Sequence, residues 1–159
     1  MQDTDLLPLL LPNVFAITKS ISQLSFSERV LPTVRDIIKS KDLPDNVMIT
    51  LLDSIPHLKE KTTGKEFADG NIQPHTSLIA DIMPLAYKAL ESGTFLQEKA
   101  LKITSELVDH LDFITVKSAL FPKVANVFTH TTTLGTKIAT LDCFLSLVPK
   151  LDDVSFFSK

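Results

Sequence analysis

Val30-Leu31-Pro32-Thr33-Val34-Arg35 and Leu120-Phe121-Pro122-Lys123-Val124-Ala125 carry the same phrase, a proline set inside a run of large apolar residues. Leu10-Leu11-Pro12-Asn13-Val14-Phe15 and Ile82-Met83-Pro84-Leu85-Ala86-Tyr87 repeat it. Each phrase continues with apolar residues at helical spacing. Proline removes a backbone donor and clashes with the preceding turn, so an interior helical proline is costly. Four of them in matching surroundings predict one kinked building block used several times, and hence a repeat protein with a binding surface.

Apolar residues recur with helical period nearly throughout, and no alternating strand pattern of useful length interrupts them. The first helix is expected from about Asp5 to Ser20. A second runs from Ser27 to Ser40, opened by Ser25 and Glu28 at capping-box spacing. Asp45 caps a third, through Met48, Leu51, Leu52 and Ile55 to Leu58. A fourth runs from about Thr76 to Glu91, with Gly93 as its stop. Thr94 and Gln97 form a second capping box for a helix reaching His110, and Asp112 starts the next, to about His130. Thr132 or Thr133 caps a long helix through Ile138, Leu141, Phe144, Leu145 and Val148, followed by one turn at Val154 to Phe157.

Two helix types alternate: one carries the apolar-Pro phrase, and the other ends in Leu51 to Leu58, Thr104 to Leu111 or Phe144 to Leu151. Pro84 and Pro122 lie 38 positions apart, and Leu111 and Leu151 lie 40 apart. Both distances sit near the period of HEAT and armadillo repeats, about 40–47 residues. Pro32 to Pro84 spans 52 positions, the excess matching a polar stretch over 59–75 that reads as a loop insertion. Pro12 to Pro32 spans 20, an abbreviated first unit. The expected fold is all-α, a HEAT/armadillo-type α-solenoid of about three antiparallel helix pairs, with residues 1–159 as one array that stops mid-repeat.

Composition narrows the function classes. The 159 residues are 44% hydrophobic, ample for a core, and no apolar run approaches the roughly 20 residues of a membrane span. Leu6 to Ile17 lacks the flanks of a signal peptide. Net charge is −3, lysines alternate with acids, Trp is absent and Tyr87 is the sole tyrosine, which argues against nucleic acid as partner. A single cysteine, Cys143, rules out an internal disulfide and reads as a buried, inert thiol.

No catalytic, cofactor or metal set converges in the sequence. Gly64, Gly70, Gly93 and Gly135 form no phosphate-binding fingerprint, and His57, His75, His110 and His130 are scattered. Lys102, Glu106 and His110 form a one-turn charge ladder on a solvated face. The Thr129 to Thr133 run reads as a helix-to-helix turn. The candidate partner face is the polar side of the Thr94–His110 helix, with Glu98, Lys102, Glu106 and Asp109.

Leu7-Pro8-Leu9-Leu10-Leu11-Pro12-Asn13-Val14, Ile82 to Glu91, Leu96-Gln97-Glu98 with Leu101, Lys117 to Lys123, and Thr131 to Ile138 together resemble the HEAT-repeat region of the Scy-like pseudokinases. The phrases closest in kind are those of the branch associated with clathrin-coated vesicles. The resemblance implies a piece of a larger protein with an amino-terminal kinase-like domain, none of whose motifs occurs here. It implies a non-catalytic scaffold in vesicle-mediated transport, in the cytoplasm and peripheral to Golgi or endosomal membranes. Clathrin, adaptor or coatomer components are the implied partners. It marks Pro12, Pro32, Pro84 and Pro122 as structural repeat positions, and Lys137 as the basic residue that ties the inter-helix turn, where the family usually has arginine. Without a kinase-like domain upstream, the chain would read as a generic solenoid adaptor of the transport-receptor or phosphatase-scaffold type.

Overall fold

The computed structural model describes residues 6–62 and 74–152. They form seven helices and no strand: α1 (Leu7–Thr18), α2 (23–39), α3 (Asp45–Thr62), α4 (Pro74–Leu90), α5 (Thr94–Leu107), α6 (113–130) and α7 (Leu134–Asp152). The all-α expectation is met. Residues 59–62 and 74–75 of the expected loop are helical. The rest of that loop and the expected turn at Val154 to Phe157 lie outside the described residues. The chain divides into two compact units, one up to Leu85 and one from Ala86 onward.

The apolar-Pro phrases of α2 and α6 take one unusual form. Pro32 and Pro122 have no N–H to give the carbonyl four residues back, and their rings crowd it. The preceding turn widens instead. Phe26–Val30 and Val116–Leu120 are π-helical, with the Leu31 N–H donating to the Phe26 carbonyl and the Phe121 N–H to the Val116 carbonyl. Pro12, Pro32, Pro84 and Pro122 are all exposed, so any carbonyl left without a partner faces water. Phe26 and Val116, which open the two wide turns, are fully buried.

α2 and α5 start earlier than the capping-box reading placed them, whereas α6 starts at Asp112 as expected. Ser22 caps α2, its Oγ accepting from the Ser25 N–H at 3.2 Å. Ser25 is itself already helical, so it cannot be the cap. At the corresponding place in α6, Asp112 accepts from the Thr115 N–H at 3.3 Å. Gly93, not Thr94, precedes the first residue of α5, and Gln97 reaches back to the Leu90 carbonyl at 3.1 Å.

The two caps differ in one testable respect. Thr115, first through its hydroxyl and then its N–H, holds the Asp112 carboxyl below its usual range. A depressed carboxylate contributes stability above its unfolded pKa and loses it as pH falls through the folded one. The Thr115 amide should therefore titrate with a midpoint below about 3.9, that of free aspartate. The Ser25 amide should not move over that range. Both are readable by NMR, and a Thr115 midpoint at or above 3.9 would reject the cap.

Within the first unit, α1 and α3 run side by side in the same direction. The Thr18 hydroxyl meets His57 Nε2 at 2.9 Å, and Gln23 beyond the end of α1 donates to the Glu60 carbonyl at 3.3 Å. The His57 ring stands edge-on to Phe15 and Phe26, at 6.4 and 6.2 Å between centroids. One imidazole thus joins α1, α2 and α3. Arg35 of α2 lies 2.8 Å from Asp81 of α4, which also takes Lys39 at 3.4 Å.

The second unit repeats the plan. Along α5 and α7, Thr136 donates to Glu98 at 3.0 Å near their starts, and Lys150 donates to the Asp109 carbonyl at 3.2 Å near their ends. Those partners are 38 and 41 positions apart, against 39 and 37 in the first unit. Like helices therefore stack in parallel at one-repeat spacing in each unit. The short turn at 131–133 returns α6 into α7 as an antiparallel hairpin, closed by Phe121 and Phe128 against Phe144.

Candidate functional site

Each chemically active side chain of the second unit that the structure describes is placed by packing. Cys143 is fully buried, and burial pushes its thiol up, partly offset by a hydrogen bond with Ser105. A thiol held protonated is a poor nucleophile. His130 Nδ1 bonds back to the Asn126 carbonyl at 2.9 Å. Tyr87 is half-buried; burial and then the Asp112 charge push its phenol up, while the Lys123 ammonium lies over its ring and pairs with Glu91. Among the described residues, no group of three His, Cys, Asp or Glu side chains could hold a metal ion. His75 lies in α4, but its side chain is not described.

A polar cleft of about 410 Å³ opens at one end of the second unit, lined by Ser92, Gly93 and Thr94 on one turn and His130 to Thr133 on the other. The threonine run is the expected helix-to-helix turn, with the Thr133 N–H donating to Thr131 Oγ1 at 3.3 Å. The groove between α1 and α3 in the first unit is of similar size, about 380 Å³, and carries Lys19, Asp53 and His57. His57 there is already bonded to Thr18.

The four residues proposed as a partner face do not stay together. Lys102 and Glu106 are exposed on α5, one turn apart. Asp109 is exposed but sits in the 3₁₀ turn Val108–His110 that follows the helix, which breaks the Lys102–Glu106–His110 ladder. Glu98 leaves the face altogether, because its carboxylate accepts from the buried Thr136 and covers Gly135. Lys137 lies with its ammonium 5.8 Å from the centre of the Phe128 ring. The polar ties between helices are made instead by Glu98 and Lys150.

The surface that sequence reasoning missed is on α7. Thr136, Thr140, Cys143 and Leu147 point into the unit and are fully buried. Thr140 satisfies its hydroxyl on the Thr136 and Lys137 carbonyls. Leu134, Ile138, Leu141, Leu145 and Val148 point outward, each about half exposed or more. A solvent-facing helix ordinarily keeps its polar row outside, and a contiguous exposed apolar row marks an interaction surface. The alternation of four and three between the outer residues is the signal that could have revealed it.

The features so far define an all-α protein of recurrent helices, with a polar row on α5 and an apolar row on α7 as its distinctive surfaces. Among curated proteins the chain is similar to the protein kinase domain-containing protein ppk32 of Schizosaccharomyces pombe, 30% identical over 146 residues. The match covers 91% of this chain and 18% of that protein. It is 25% identical over 149 residues to SCY1-like protein 2 of Homo sapiens, covering 93% and 15% of the two chains. It is 30% identical over 135 residues to the protein kinase-like protein SCY1 of Saccharomyces cerevisiae, covering 85% and 16%. The chain is thus similar over most of its length to Scy-like, protein-kinase-like proteins and spans less than a fifth of the length of these relatives. No family model matches the chain, and no solved structure does.

Proposed function

We propose that this chain is a non-catalytic, HEAT-type scaffold segment of a Scy-like protein, serving vesicle-mediated transport. In this reading it works in the cytoplasm, peripheral to Golgi or endosomal membranes. The parallel stacking of like helices at 37 to 41 positions carries the reading, because such stacking extends a surface rather than enclosing a pocket. The similarity to protein-kinase-like relatives over nearly all of the chain supports it. The polar row of α5, now Lys102, Glu106 and Asp109, is the face offered to clathrin, adaptor or coatomer components.

Charge reversal at Lys102 and Glu106 together tests that face. The immobilised chain should capture adaptor or coatomer subunits from a cell lysate, and the reversed variant should capture several-fold less while keeping its helical circular dichroism. Equal capture by both would remove the α5 face. Recovery of import cargo or a phosphatase catalytic subunit in place of coat proteins would favour a generic solenoid adaptor.

A further inference from the structure

We infer that the outer row of α7 joins two copies of this chain, helix against helix, as a parallel twofold pair. Leu134, Ile138, Leu141, Leu145 and Val148 fall alternately on the two core positions of a heptad. Ile138 and Leu145 take the first position, and Leu134, Leu141 and Val148 the fourth. Ile138 at the first position with Leu141 at the fourth follows the pattern that favours two parallel strands. The row is about 21 Å long at 1.5 Å per residue.

The charges beside the row select the partner and its direction. Lys137 immediately precedes Ile138, and Asp142 immediately follows Leu141. Both are exposed, and neither forms a salt bridge within the chain among the described residues. In a parallel pair, residues at these flanking positions five apart face each other across the seam. Each Lys137 would then meet the Asp142 of the other copy, twice over by symmetry. An antiparallel pair centred on Leu141 would instead set Asp142 against its own counterpart, a like-charge contact. The seam is thus self-complementary in one direction only.

Sedimentation equilibrium on the purified chain, from about 1 to 100 μM, tests the inference independently of any coat protein. The expected result is a monomer–dimer equilibrium that ends at twice the chain mass. Leu141→Glu or Leu145→Glu should raise the dissociation constant at least about tenfold with helical content unchanged, since each places a carboxylate in an apolar seam. Asp142→Lys should weaken the pair, and adding Lys137→Glu should restore it. Leu134→Cys should oxidise to a covalent dimer. Cross-linking only between Leu134→Cys and Val148→Cys chains would show an antiparallel pair and overturn the assignment. A monomer at all concentrations would also overturn it. So would growth beyond the dimer, the behaviour expected if the row docks head-to-tail on the exposed Leu6, Leu10, Val14 and Ile17 of the next copy.

Discussion

Replacing Phe26 by alanine should cost the first unit about 3–5 kcal/mol, the range for deleting a buried phenylalanine. Phe26 is fully buried at the start of a π turn, where its carbonyl accepts from the Leu31 N–H. Its ring packs edge-on against His57, which is itself bonded to Thr18 on α1. The cavity would therefore open where three helices meet. The wide turn also limits relaxation, because Pro32 cannot supply the missing hydrogen bond if the helix tries to tighten. Small domains hold only about 5–15 kcal/mol in all. Urea unfolding, followed by amide exchange within the first unit, measures the loss. A change below about 1 kcal/mol would mean that the His57 cluster does not organise this unit.

Truncating the two faces of α7 should separate stability from association. Leu147 is fully buried, and Leu147→Ala should cost about 2–5 kcal/mol. Leu145, two positions away and 71% exposed, should lose less than about 0.5 kcal/mol as alanine when measured at concentrations where the chain is a monomer. The same Leu145→Ala change should weaken the dimer. Equal losses at the two positions would show that α7 is not oriented as described.

The recurrence of the apolar-Pro phrase was enough to read the helical repeat. Pro32 and Pro122 sit in the same local sequence, and the helices around them form as expected. What the prolines do to the chain was not legible. The π turns arise because a missing N–H and a ring clash shift the hydrogen bond by one residue, and one sequence does not say whether a helix will kink, break or widen. The Ser25–Glu28 capping box failed for a related reason. Ser22 competes for the same role and takes it, one turn earlier, by accepting from the Ser25 N–H.

The candidate surface was half legible. Lys102 and Glu106 are exposed as their polarity predicts, whereas Glu98 is drawn into a tertiary hydrogen bond by Thr136, 38 positions away. On α7, hydrophobicity alone would turn Leu134, Ile138, Leu141, Leu145 and Val148 inward. The helix instead buries two threonines and a thiol. Threonine can do so cheaply because its hydroxyl finds carbonyls of its own helix.

The scaffold reading rests on this segment contributing to partner capture without catalysis. Its most direct test is affinity capture with a full-length Scy-like relative, intact and with the segment matching this chain deleted. The account predicts that clathrin-adaptor or coatomer subunits recovered by the intact protein fall sharply on deletion, while any nucleotide binding by the remainder is unchanged. Undiminished capture without the segment would contradict it.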